Sequence, residues 1–84
     1  MIPMREVMID CTGVAENEAL HRLFAKTLHF PEWYGNNLDA LYDLLTDLEE
    51  PTHVTLRNYS GPNAFRETLL DAADTGLGFS VTFE

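Results

Sequence analysis

Two carboxylates one helical turn apart are the residues of this sequence with the clearest capacity for chemistry. Asp39 and Asp43 stand at i and i+4, and Tyr42 and Thr46 share the same predicted helix face. Like charges at this spacing destabilise a helix by roughly 0.2–0.5 kcal/mol, and only Asp39 is close enough to the helix N-terminus to gain from its dipole. The pattern indicates a solvated acidic face, a surface that binds a cationic protein, or an acid–base pair.

The acid–base alternative has little support in the rest of the sequence. A catalytic carboxylate pair needs two environments that separate the pKa values, whereas Asp39 and Asp43 share one exposed face. His21 and His29 lie on or end the first predicted helix and His53 lies on a predicted strand, and the single cysteine, Cys11, is typical of a small core residue. Dinucleotide, phosphate-loop, serine-hydrolase and zinc-protease motifs are absent from the sequence. We therefore predict no enzymatic activity, no cofactor and no metal site.

Two adjacent aromatic residues lie immediately before the acidic helix. Trp33 and Tyr34 stand between Pro31 and Gly35, in a short loop. Large aromatic side chains in such a loop either fold back over the core or serve as anchors at a contact surface. We expect one of the two rings to do each.

The charge of the chain limits the partners it can have. Five Lys and Arg residues oppose 14 Asp and Glu residues, for a formal net charge of −9. Nucleic acid and anionic lipid both require a cationic surface, so neither is an expected ligand. The acidic excess serves either solubility or electrostatic attraction of a basic protein.

Apolar content and length favour one small domain with one core. Hydrophobic residues make up 45% of the 84 residues, and no apolar run reaches the ~20 residues that span a membrane. The N-terminal residues lack the pattern of a secretory signal, and a lone cysteine cannot form an internal disulfide. We expect a cytoplasmic protein without membrane association.

Hydrophobic periodicity divides the chain into six elements. Strands are predicted at residues 6–10, 53–58 and 79–83. Helices are predicted from a cap at Asn17 to about residue 29, from a cap at Asn36 or Asn37 to before Pro51, and from residue 60 or 63 to a C-cap at Gly76. The order β-α-α-β-α-β favours a parallel α/β sheet. Polar and apolar residues alternate in the last two strands, which predicts two layers with helices on one face.

The segment around the acidic helix resembles a known family. Residues 30–46, FPEWYGNNLDALYDLLT, are similar to the signature segment of barstar-type ribonuclease inhibitors. The resemblance implies one barstar-like domain over residues 1–84, with a three-stranded parallel sheet covered by helices on one side. Against that family, Asn36 replaces a common acidic residue, and the segment between Pro51 and Gly76 is short.

The resemblance also implies a function and a set of contact residues. Family members place the acidic helix and the preceding loop in the active-site cleft of a basic ribonuclease. Asp43 is then the central acid, and Trp33 is the loop aromatic that packs against the enzyme. The residues implied as partner-binding are Trp33, Tyr34, Gly35, Asn37, Asp39, Tyr42, Asp43, Thr46 and Asp71. The expected partner is a basic ribonuclease or a nuclease toxin, with the free protein a monomer; the alternative is a barstar-fold interaction module with a basic partner that is not a nuclease.

Overall fold

The computed structural model describes residues 4–76 and 78–84. The elements of that part of the chain are β1 (Arg5–Asp10), α1 (Asn17–Leu28), α2 (Leu38–Thr46), β2 (Thr52–Arg57), α3 (Asn63–Thr75) and β3 (Phe79–Phe83). The strands form one parallel sheet in the order β1-β2-β3. The predicted α/β class and element order are confirmed. Among the described residues, no helix is long and apolar enough to cross a bilayer.

The helix starts differ in detail from the prediction. Asn17 is not the cap of α1 but its first residue, since Glu16 has the extended backbone of a cap and its carbonyl accepts the Leu20 N–H at 3.0 Å. Asn37 caps α2: its side-chain oxygen accepts the Ala40 N–H at 2.8 Å. The cap predicted at Asn17 was therefore wrong, and of the two candidates for α2 the second is correct.

The three helices end in different ways. His29 closes α1 in the left-handed conformation, with φ 57°. Helix α2 ends at Thr46, earlier than the predicted end before Pro51. Gly76 is the C-cap of α3 as predicted, but with φ −82° it is extended rather than left-handed. Its lack of a side chain therefore serves a different purpose, described below.

One face of the sheet is buried and the other is open. Ile9, Val54, Leu56 and Phe79 point into the core, together with the apolar stripes of the helices. On the opposite face, cross-strand neighbours Glu6, His53 and Ser80 lie side by side, with Glu6 exposed and the other two half-buried. This one-sided burial is the predicted two-layer arrangement.

The loop between α1 and α2 is fastened to the core by Tyr34. The ring of Tyr34 packs edge-on to Phe30, with centroids 4.9 Å apart, and its hydroxyl is hydrogen-bonded to Nδ1 of His21. His21 is only 2% exposed and packs edge-on to Phe65 of α3, at 5.0 Å between centroids. Because these groups come from α1, α3 and the loop, the position of the loop is set by the core itself.

Helices α2 and α3 approach closely at Gly76. A Cβ atom at this position would lie 3.0 Å from the Ala72 carbonyl oxygen and 3.3 Å from Cα of Thr46. Both distances are shorter than ordinary van der Waals contact, so the glycine allows the end of α3 to rest directly on the end of α2.

Replacing Gly76 by alanine should destabilise the protein. The added methyl group overfills the contact with Thr46, and overpacking of this kind costs about 1–3 kcal/mol in the free energy of unfolding. Urea unfolding measures the loss as a lower midpoint. Gly78→Ala is the matched control, because its Cβ would have neighbours at 3.8 and 3.9 Å and the change should stay within about 0.5 kcal/mol. Equal losses of stability in Gly76→Ala and Gly78→Ala would contradict a specific role for Gly76 in the contact between α2 and α3.

Stability should fall as the pH drops below about 6.5, the usual pKa of histidine. Burial lowers the pKa of His21 in the folded protein, and the groups that face it are Tyr34 from the loop, Phe65 from α3 and Glu18 on its own helix. Below pH 6.5 the unfolded chain therefore binds a proton that the folded protein does not, whereas above it both states are neutral. For one such group, the free energy of unfolding changes by at most about 1.4 kcal/mol per pH unit.

Urea unfolding between pH 5.5 and 7.5 measures this effect. The free energy of unfolding should change less steeply with pH in His21→Gln than in the wild type. In His29→Gln, which replaces an exposed histidine, the pH dependence should be unchanged. A slope that persists in His21→Gln would show that other groups produce it.

Candidate functional site

The outward side of α2 carries an acidic face, which we define as Asp39, Tyr42, Asp43 and Thr46. The two aspartates are exposed and the other two residues are half-buried. Leu41 and Leu45 on the opposite side are fully buried, and this holds the helix in the orientation that turns the carboxylates outward.

The carboxylates of this face are not neutralised by neighbouring cations. In the described part of the chain, ion pairs join Arg22 to Glu18 at 2.9 Å and Arg57 to Glu84 at 3.6 Å, and none involves Asp39 or Asp43. Residues 27–56 contain six Asp and Glu residues and no Lys or Arg. The negative potential is therefore concentrated around α2, where it favours a cationic partner.

Trp33 and Tyr34 divide as expected, with one ring inside and one outside. Tyr34 is 8% exposed and belongs to the core, whereas Trp33 is 71% exposed. Only a small part of Tyr34 can therefore contact a partner. The buried ring mainly holds the loop against the core. Burial raises the pKa of Tyr34 to about 12, so the phenol keeps its proton at neutral pH.

Gly35 and Asn37 shape the entry into α2. A Cβ at Gly35 would come within 2.9 Å of the side-chain nitrogen of Asn37, whose oxygen caps the helix. Asn36 lies between them in the left-handed conformation, with φ 53°, which asparagine tolerates better than most residues. The loop therefore depends on small and amide side chains at these three positions.

Thr46 lies at the C-terminal end of the acidic face, and Asp71 lies on the neighbouring helix α3. The Thr46 hydroxyl donates to the Tyr42 carbonyl oxygen at 2.9 Å, which leaves its lone pairs free to accept a hydrogen bond. Asp71 is exposed on α3, the helix that packs beside α2, and forms no ion pair with a described residue. The structure thus places a further carboxylate on the neighbouring helix.

Other reactive groups are engaged in structural roles. Burial, followed by the charge of Asp10, raises the pKa of the Cys11 thiol, so it stays protonated in the core. Hydrogen bonds from the Thr12 hydroxyl and N–H, and from the Asn58 amide, lower the pKa of Asp10. Within the described residues, no three His, Cys, Asp or Glu side chains are placed to hold a metal ion.

Sequence reasoning missed a groove beside the start of α2. This groove is open, has a volume of about 580 Å³ and is lined by Asn17, Glu18, His21, Gly35, Asn36, Asn37 and Leu38. The available signal was His21, a polar residue three and seven positions before Phe24 and Leu28 in the buried stripe of α1. Its spacing was consistent with a core position, but nothing in the sequence indicated that the ring borders a groove.

Two comparisons with known proteins found similar sequences. The family model for Barstar (barnase inhibitor) matches residues 4–83. The Bacillus subtilis (strain 168) protein named "Putative ribonuclease inhibitor YrdF" is 38% identical over 69 residues, which cover 81% of this chain and 76% of that protein. Both findings support a ribonuclease-inhibitor-like role. With the family model matching almost the whole chain, this protein belongs to the barstar family.

Proposed function

We propose that this protein inhibits a basic ribonuclease by inserting its acidic face and Trp33 into the active-site cleft. The observation that carries the proposal is the exposed, unpaired pair Asp39 and Asp43 beside a 71% exposed tryptophan on a loop fastened to the core. A protein that only needed solubility would gain nothing from holding a large exposed ring next to two like charges.

The mechanism is occlusion of the site where RNA binds. A ribonuclease cleft presents Arg, Lys and His side chains to RNA phosphates, and Asp43 would pair with them at the centre. Charge-assisted hydrogen bonds to guanidinium groups are strong once water is excluded. Asp39 and Asp71 would add flanking carboxylates, and the lone pairs of Thr46 would accept from a further donor.

Pre-organisation supports tight binding by this surface. The Tyr34–His21 hydrogen bond and the Asn37 cap hold the loop and the helix start in one arrangement. Trp33 can therefore pack against a partner with little further loss of conformational entropy in the loop. Gly35 and Asn37 would then contribute backbone and amide groups at the edge of the contact.

A toxin–immunity pairing in the cytoplasm is the setting we propose for this inhibitor. The chain would bind as a monomer, since a net charge of −9 opposes association between its own copies. It would perform no catalysis, because an inhibitor of this kind needs only a complementary surface.

Asp43→Ala should abolish most of the inhibition while leaving the fold intact. As a central contact, Asp43 should contribute more than ~2 kcal/mol, or about 30-fold in Kd. The measurement is RNA hydrolysis by a panel of small basic ribonucleases, titrated with each variant. Glu6→Ala is the matched control, because it removes the same charge from the open face of the sheet, away from the helices.

Urea unfolding of the same variants separates binding from folding. The stability of Asp43→Ala should stay within about 0.5 kcal/mol of the wild type, or rise as the repulsion from Asp39 is relieved. A large loss of stability would assign Asp43 a structural role. Absence of inhibition by the wild type across the panel would leave the acidic face as a docking surface for a basic partner of another class.

Salt should act mainly on the association rate with the inhibited ribonuclease. Raising ionic strength from about 0.01 to 0.15 M shortens the screening length from about 30 to 8 Å, which weakens long-range attraction more than close contacts. Stopped-flow measurement should show association slowing much more than dissociation accelerates. An association rate that is insensitive to salt would remove any role for the net charge in the encounter.

A further inference from the structure

We propose that the groove beside α2 is a second contact site, in which Nε2 of His21 donates a hydrogen bond to a neutral acceptor, a main-chain or amide carbonyl, in a loop of the bound ribonuclease. The inference rests on the proposed function, because it takes the partner of the acidic face as the occupant.

One ring nitrogen of His21 has no partner in the described structure. Its side chain is 2% exposed, and Nδ1 is hydrogen-bonded to the Tyr34 hydroxyl. Nε2 has no hydrogen-bond partner among the described residues, yet no buried side-chain nitrogen or oxygen among them lacks one. Nε2 therefore keeps some solvent exposure, and His21 is one of the residues that line the groove.

The hydrogen bond with Tyr34 bears on which nitrogen of the His21 ring carries the proton. The Tyr34 phenol remains protonated and, among the described residues, has no hydrogen-bond acceptor except Nδ1 of His21. Burial lowers the pKa of His21, so the imidazole is neutral. We assign the phenol as the donor to Nδ1, which places the imidazole proton on Nε2 and gives the groove a hydrogen-bond donor.

The residues in the walls of the groove limit the kind of ligand that fits there. Asn36 and Asn37 line the groove from the loop, and Asn17 and Glu18 line it from the first turn of α1, where the N–H groups have no partners within the helix. These N–H groups match an acceptor atom on the ligand. Glu18 borders the groove, and the net charge of −9 opposes an anion. A neutral carbonyl oxygen satisfies the donors at no electrostatic cost.

The groove adjoins the acidic face at the start of α2. Gly35 and Asn37 belong both to the groove and to the predicted contact residues, and Leu38 in the groove wall directly precedes Asp39. A protein that covers the start of α2 would therefore lay a neighbouring segment over the groove. A small solute has no such second attachment.

Imidazole ¹⁵N NMR of the inhibitor, free and saturated with the ribonuclease that it inhibits, tests the proposal without altering the fold. We expect the Nε2 resonance of His21 to shift and its proton to exchange more slowly in the complex. His53, on the open face of the sheet, is the internal control and should be unchanged.

A pair of substitutions gives an independent readout. Asn17→Trp places a bulky ring at the groove wall and should weaken inhibition at least about tenfold, as loss of an interface contact does. Asn63→Trp is matched to it, since Asn63 is also an exposed first residue of a helix but lies outside the groove lining, and inhibition should change less than about threefold.

The outcomes distinguish this proposal from the proposed function. If the ribonuclease is inhibited while the Nε2 resonance of His21 does not change in the complex, or if Asn17→Trp inhibits as well as Asn63→Trp, the groove proposal is overturned and occlusion stands. If no ribonuclease in the panel is inhibited, both proposals fail together.

Discussion

The buried contact between Tyr34 and His21 is the interaction on which the rest of this surface depends. It joins the loop to α1 and, through Phe65, to α3, so a segment that has to change direction before α2 has one position relative to the core. The same contact leaves Trp33 outside, because the adjacent residue is held inside. It also determines which nitrogen of His21 is left for the groove. One hydrogen bond therefore links core packing and the position of the loop.

The acidic face illustrates a conflict between stability and binding. Asp39 and Asp43 repel each other on a nine-residue helix, and neither has a cationic neighbour in the described residues. Leu41 and Leu45 on the buried side, with the Asn37 cap, offset that repulsion, because burying two leucines is worth several kcal/mol and the repulsion only a few tenths. The helix can therefore carry unpaired charge on its outer side without losing its structure.

The two-layer fold also governs where a partner can bind. All three described helices share one side of the sheet, and the close approach at Gly76 holds α2 and α3 together without an intervening side chain. In the described chain, residues 58–62 join β2 to α3 without a helix, in agreement with the short segment noted in the sequence. The acidic residues of α2 and α3 consequently belong to adjoining helices of one layer, with the open face of the sheet left to polar residues such as Glu6 and His53.

The amino-acid sequence by itself determined the element order, the class of sheet and the outward direction of Asp39 and Asp43. These follow from hydrophobic periodicity, and a buried stripe such as Leu41 and Leu45 leaves only one direction for the residues opposite it. The helix ends were less predictable: Asn17 and Asn37 are both good caps, and which one caps depends on whether its own backbone is extended or helical in the folded chain. Local preference could not decide between them.

Only the tertiary structure decided which ring of the aromatic pair is buried and what surrounds His21. Trp33 and Tyr34 have similar tendencies to serve as core or contact residues, and the choice was made by a hydrogen-bond partner 13 residues away on another element. The groove depends on the same long-range packing, because its lining comes from the start of α1 and from the loop before α2. Periodicity describes one element at a time, and a site formed between elements exists only once they pack together.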